Sequence, residues 1–382
     1  MKVMTVVGTR PELIRLARVI HRLDATAGIE HVLVHTGQNY DYTLNQVFFD
    51  DLGIRQPDHM LGVDTSSLGS VLGGTLIAVE NVLQQEQPDA VLVLGDTNSC
   101  IAALMARRMK IPTYHMEAGN RCFDLNVPEE TNRRMVDHVS DFNLVYTEHA
   151  RRNLLAEGLH PRRITKTGSP MREVLDAYRS QIHASTVLVD KGLREGGYFL
   201  VSAHREENVD SPERLRMLLD CLTAVQSYFG LPVFVSTHPR TRKQLEALPN
   251  WSEPESITFS DPLGFHDYNK LQLGAACCLS DSGTIAEEST ILGFPAVTLR
   301  DSIERPEALD TGGIMMAGLH AGDVVAAVQL AMDNEFSREG ISHLTPDDYT
   351  IDNTSERAVK FILSTARRHH QWAGIRTTDE DR

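Results

Sequence analysis

Three acidic residues, Asp96, Glu117 and Glu129, are placed where carboxylates could divide acid and base work. Asp96 closes the run Leu94-Gly95-Asp96-Thr97-Asn98-Ser99, and Glu117 follows an apolar run in His115-Met116-Glu117-Ala118-Gly119. Glu129 sits in Val127-Pro128-Glu129-Glu130-Thr131-Asn132-Arg133-Arg134, a good helix start. Each has a plainer reading. An isolated Asp before small hydroxyl residues can cap a helix. Glu129–Arg133 and Glu130–Arg134 could be i,i+4 pairs. Glu117, against small residues at a strand end, has less structural excuse. Three acids at one sheet edge shift one another's pKa and can take separate roles.

Groups suited to an anion accompany them. Gly8-Thr9-Arg10-Pro11-Glu12 follows the first strand-like run, and exposed amides with Arg10 could hold an anion at a helix N-terminus. His204 ends a second-half strand in Ala203-His204-Arg205-Glu206-Glu207-Asn208, as acid/base group or phosphate ligand. Asp281-Ser282-Gly283-Thr284 opens a helix as a phosphate cradle, and Glu288, one turn on, could accept from ribose hydroxyls. Arg305 is offered to an anion by the run 300–307. The first loop matches neither G-x-G-x-x-G nor a P-loop, so neither a dinucleotide cofactor nor ATP hydrolysis is supported. No His/Asp set has convincing metal-ligand spacing, and no cofactor is expected.

The elements that position these residues read as α/β. Short β-rich runs at 31–36, 90–95, 112–117, 142–147, 198–203, 232–237, 256–260, 276–280 and 295–300 alternate with helical stretches such as 74–86 and 211–228. Several are continuous apolar runs, as in strands buried on both faces of a parallel sheet. The series starts at residue 2 and again near 198, with the polar stretch 190–197 between. The expected fold is two Rossmann-like, doubly wound domains facing across a cleft, with ligands beyond the carboxyl ends of the strands. The expected boundaries are 1–170, joined by a C-terminal helix 354–370, then 190–353, with a frayed tail 371–382. The 382 residues exceed the ~250–300 at which one core stops growing.

A formal charge of −15 argues against nucleic acid as a partner. An acidic sugar nucleotide remains compatible if positive groups are concentrated locally. The five cysteines form no C-x-x-C pair. There is no signal-peptide pattern and no apolar run near the ~20 residues of a membrane span, so a cytoplasmic setting is expected.

Taken in order, VVGTRPE, LGDTNS, HMEAGNR, VPEETNRR, HREEN, DSGTIAEES and RDSIERPE resemble the non-hydrolysing UDP-N-acetylglucosamine 2-epimerase family over nearly the whole chain. HTGQNYDY, MEAGNRCFD and KTGSPM look like the subgroup converting UDP-2-acetamido-2,6-dideoxy-L-talose to UDP-N-acetyl-L-fucosamine. The resemblance implies a glycosyltransferase-B-like fold and a homodimer. It makes Asp96, Glu117, Glu129 and His204 the catalytic set. It makes Arg10, His204, Ser282, Gly283, Thr284, Glu288 and Arg305 contacts to UDP. Arg15 stands where the family often has lysine, and Tyr268 where an aromatic residue stacks near uracil.

Three departures stand out. Thr284 replaces the second glycine of DSGG, Glu206 replaces an arginine of HRRE, and Gln38-Asn39-Tyr40 replaces a Q-H-R run. The last two remove residues linked in some members to an allosteric UDP-N-acetylglucosamine site, so that regulation is not expected. Alternatives within the enzyme class are epimerisation of UDP-N-acetylglucosamine to UDP-N-acetylmannosamine, action on a diacetamido-uronate, and a hydrolysing epimerase. A glycosyltransferase on the same fold gives no reason for the three acids. A non-catalytic UDP-sugar sensor could lose them, yet all three are present.

Overall fold

A computed structural model describes residues 1–37, 42–249, 251–303, 305–333 and 344–376. Gln38-Asn39-Tyr40, Glu304 and tail residues 377–382 lie outside the described residues. The chain forms two compact units, Met1–Val174 with Ile351–Arg382, and Leu175–Thr350. The division falls at 174/175, and the 190–197 stretch lies within the second unit, where Gly196 N donates to Gly274 O at 2.8 Å.

The first unit is built on β1 (Lys2–Val7), β2 (Glu30–His35), β3 (His59–Met60), β4 (Ala90–Leu94), β5 (Thr113–Met116), β6 (Phe142–Val145) and β7 (Ile164–Lys166). They lie in the order β3-β2-β1-β4-β5-β6-β7, every pairing parallel. Every residue of β4 is buried, because helices cover both faces of the sheet. Met4, Val6, Val91 and Val93 share its core. The strand order reverses between β1 and β4, the switch point at which Rossmann-type sheets open a crevice.

The second unit contains β8 (Phe199–Ser202), β9 (Val233–Ser236), β10 (Ile257–Ser260), β11 (Cys277–Ser280), β12 (Ala296–Thr298) and β13 (Met315–Met316). Their order is β10-β9-β8-β11-β12-β13, again parallel, with the switch point between β8 and β11. Phe199, Val201, Val235 and Leu279 anchor this core. The two-domain, Rossmann-like α/β fold expected from the sequence is therefore present.

Four elements differ from expectation. The helix read as 74–86 begins at Leu68, capped by Ser67, whose hydroxyl accepts from Ser70 N at 3.1 Å. Gly69, Gly73 and Gly74 hide that first turn from a reading of propensity. The two-residue strands β3 and β13 are too short to leave a pattern. The C-terminal helix runs Thr354–Ala373, past the expected end at 370, and stops at Gly374 in the left-handed region. It packs on the first unit: Tyr114 and Thr365 hydroxyls meet at 2.7 Å, and Arg22 Nε donates to Ser355 Oγ at 2.8 Å.

Candidate active site

Gly8, Thr9 and Arg10 lead from β1 into the helix Arg10–Ala25, with Pro11 in its first turn, where a missing N–H is harmless. Arg10 lies over the Phe48 ring, 5.6 Å from its centroid. Beneath the loop Glu12 is buried. It accepts from Gly8 N at 3.0 Å, Thr9 Oγ1 at 2.8 Å, and the Ser99 hydroxyl beyond β4. Burial pushes the Glu12 carboxyl up, while the Ser99 and Thr9 hydroxyls and the Gly8 amide oppose the shift. Glu12 thus ties the loops after β1 and β4 together.

Asp96 stands at the switch point. Arg133 Nε and Nη2 donate to its Oδ2 at 3.0 and 2.5 Å, and Asn132 Nδ2 donates to its backbone carbonyl at 2.9 Å. Both partners come from the helix Pro128–Val139. Glu129 is half-buried in the first turn of that helix. The i,i+4 pair Glu130–Arg134 weighed in the sequence forms at 2.8 Å. Arg133 reaches Asp96 and Glu130, at 2.5 and 3.2 Å.

Glu117 follows β5 with φ of 66°, a left-handed conformation that costs a non-glycine residue about 1–3 kcal/mol. Its buried carboxylate pairs with the buried Arg15 guanidinium. A Cβ placed on Gly95 would lie 4.0 Å from Glu117 Oε2, so this carboxylate rests close to the Gly95–Asp96 peptide. Arg15, expected to contact the ligand, holds the carboxylate of Glu117. Each of two acids on adjacent strands has its own buried arginine.

In the second unit the switch point carries His204 and the 281–284 loop. Asp281 is buried and accepts from His204 N, Arg205 N and Asn208 Nδ2, all at 3.0–3.1 Å. His204 Nδ1 lies 3.4 Å from Asp281 Oδ1, and its ring is 5.5 Å from that of His238. Ser282 Oγ meets Thr284 Oγ1 at 2.9 Å, so the hydroxyl that Thr284 adds is used within the loop. Arg305 Nη1 donates to Gly283 O at 2.6 Å and pairs with Glu287 at 2.8 Å. A small cavity beside the loop is lined by Ser282, Gly283, Ile285, Thr298, Arg300 and Arg305, and its two arginines are paired with Glu207 at 3.4 Å and Glu287 at 2.8 Å. Gln272 Nε2 donates to Glu288 Oε2 at 2.6 Å. Tyr268 lies on the helix Phe265–Gly274. Burial, aided by the Glu288 charge, pushes its hydroxyl well up, and a bond with Ser202 opposes this. Glu206 pairs with Arg240 at 2.7 Å.

Within the first unit the fold brings Asp96, Glu117 and Arg15 to neighbouring strand ends. Within the second it brings His204, Ser282, Gly283 and Thr284 to one switch point. Sequence reasoning missed Glu12, Arg300 and the attachment of Arg133 to Asp96. Only the i,i+4 spacing of Arg133 from Glu129 was visible. Among the described residues, no group of three or more His, Cys, Asp or Glu is placed to hold a metal ion, and no helix is long and apolar enough to cross a membrane.

The family model for UDP-N-acetylglucosamine 2-epimerase matches residues 21–363. The chain belongs to this family. It is an enzyme, an isomerase acting on UDP-sugars. It is similar to a UDP-N-acetylglucosamine 2-epimerase structure from Rickettsia bellii, with 45% identity, TM-score 0.89, and 97% of this chain and 98% of the other covered. The Methanocaldococcus jannaschii UDP-GlcNAc 2-epimerase, solved with UDP-GlcNAc and UDP, is 32% identical with TM-score 0.89, over 95% of this chain and 100% of that one. A UDP-2,3-diacetamido-2,3-dideoxy-D-glucuronate 2-epimerase from Pseudomonas aeruginosa is 32% identical over 343 residues, 89% of this chain and 95% of the relative.

Proposed function

We propose that this epimerase inverts C2 of a UDP-2-acetamido sugar by eliminating UDP and adding it back. Its substrate in this reading is UDP-2-acetamido-2,6-dideoxy-L-talose, converted to UDP-N-acetyl-L-fucosamine as a surface-polysaccharide precursor by a cytoplasmic homodimer. The observation that carries the mechanism is the pair Asp96 and Glu117 at adjacent strand ends, each fixed by a buried arginine. The C2 proton is not beside a carbonyl, so direct removal is prohibitively hard. Breaking C1–O to UDP builds oxocarbenium character at C1 and acidifies C2–H. Removing that proton gives a 2-acetamidoglycal and UDP. Proton return on the opposite face, with re-addition of UDP, completes inversion and leaves atoms and electrons balanced.

Asp96, Glu117 and Glu129 share the base and acid roles in this scheme. His204, Arg10 and the Ser282-Gly283-Thr284 loop, backed by Arg305, retain the departing diphosphate through preorganised positive potential. Glu288 and Tyr268 serve the nucleoside. The subgroup stretches HTGQNYDY, MEAGNRCFD and KTGSPM support the L-talose substrate. The test is incubation in deuterated water with UDP-N-acetyl-L-fucosamine and, separately, UDP-N-acetylglucosamine, with C2 followed by NMR. Deuterium entry with intact UDP-sugar is expected for the first. Entry only with the second would reassign the substrate, and free sugar would favour a hydrolysing reaction. Asp96→Asn and Glu117→Gln should each lose at least ~10²-fold in turnover.

A further inference from the structure

Behind the two acids lies a fully buried polar cluster with no place yet in the reaction. His115, on β5 two residues before Glu117, has no exposed surface, and neither has Asp137 on the helix Pro128–Val139. His115 Nε2 lies 2.7 Å from the Gly95 carbonyl oxygen, the peptide that leads into Asp96. That oxygen can only accept, so Nε2 donates. His115 Nδ1 meets Asp137 Oδ1 at 2.9 Å. Asp137 also accepts the Gly119 amide at 3.2 Å from each oxygen, and Arg121 Nη1 at 2.7 Å. Arg121 grips Glu157 through Nε and Nη2 at 2.8 and 2.7 Å.

We propose that His115 is a positioning residue that registers the loop bearing Asp96 against the loop bearing Glu117. One ring nitrogen holds the peptide before Asp96. Because His115 itself sits on β5, two residues before Glu117, this one bond links the two loops, and the other nitrogen, on Asp137, orients the ring. Both loops are conformationally demanding: Gly95, Glu117 and Gly119 all have positive φ, and a Cβ on Gly119 would lie 2.4 Å from Ala150 O. The β4–β5 ladder carries the register as far as Gly95 N, which donates to Met116 O at 3.0 Å, and the His115 ring is the side-chain anchor at the point where the two loops leave that ladder. A displacement of ~1 Å in a reacting group can cost ~10²-fold in rate. The inference rests on Asp96 and Glu117 being the reacting acids.

Two substitutions separate the bonds made by the ring. An Asn amide occupies the Nδ1 position and keeps Asp137. A Gln amide reaches the Nε2 position and keeps Gly95 O. His115→Asn should lose about 10–100-fold in kcat, with KM within about threefold of wild type. His115→Gln should retain most of kcat. In an Asp96→Asn background, His115→Asn should add less than about threefold, because it acts through a group already disabled. Equal losses in both variants, additive losses, or an effect carried by KM would overturn the proposal.

Amide hydrogen exchange reads the loops independently of activity. Faster exchange at 95–99 in His115→Asn but not in His115→Gln supports the proposal, and unchanged or global exchange overturns it. If the wild type exchanges no deuterium into any UDP-2-acetamido sugar, the epimerase reading fails while this measurement still decides the anchor. Should His115→Asn not fold, the wild-type His115 Nε2 proton decides. It must exchange slowly and show coupling to the Gly95 carbonyl carbon; rapid exchange overturns the proposal.

Discussion

Arg133 holds Asp96 through two nitrogens of one guanidinium, Nε at 3.0 Å and Nη2 at 2.5 Å, both on Oδ2. The arginine is almost wholly buried, whereas the Asp96 side chain keeps 21% of its surface exposed. One carboxylate oxygen is thus clamped from inside while the residue stays reachable from outside.

Lysine cannot reproduce that two-nitrogen grip. Arg133→Lys is expected to lower kcat by about 10–100-fold, with a smaller change in KM. Steady-state assay of the UDP-sugar product checks this. A wild-type kcat would show that the clamp is not needed for turnover.

Backbone strain at Glu117 has its own signature. Both Glu117→Ala and Glu117→Gly delete the partner of Arg15, so comparing them isolates the conformation at φ 66°. The glycine variant should be more stable than the alanine variant by ~1 kcal/mol in urea unfolding, and both should be inactive. Equal stabilities would mean that the backbone relaxes there at no cost.

Gly119 admits no side chain. Its φ is 84°, and an added Cβ would sit 2.4 Å from the Ala150 carbonyl oxygen. Gly119→Ala should destabilise the protein by about 1–3 kcal/mol and cut turnover by moving Glu117. Thermal unfolding and C2 deuterium exchange, run on the same sample, test both parts.

His35, at the end of β2, gives a pH dependence. Burial lowers its pKa to about 4, and Gly37 N donates to its Nδ1 at 2.9 Å. The folded value lies below the ordinary value near 6.5, so the unfolded chain binds the extra proton first. The contribution is present above pH ~6.5 and is lost as pH falls toward 4. Urea midpoints at pH 7 and pH 5 should differ less in His35→Gln than in wild type. An equal drop in both proteins would assign the acid sensitivity elsewhere.

The sequence by itself determined the alternation of strand and helix, because buried parallel strands must be apolar throughout and β4 is buried at every residue. It also placed Asp96, Glu117, His204 and the 282–284 loop at strand ends, since period and punctuation are local properties of the chain. Tertiary structure decided which strands are neighbours, and hence that β4 lies beside both β1 and β5. From that adjacency come the Arg15–Glu117 pair across 102 positions and the Glu12–Ser99 bond across 87. It also brings His115 to Gly95 and Asp137. These contacts join residues far apart in sequence, and no periodicity encodes them. Arg133 shows the limit most plainly: its spacing offered an i,i+4 pair with Glu129, while its reach to Asp96 across 37 positions depends on sheet packing.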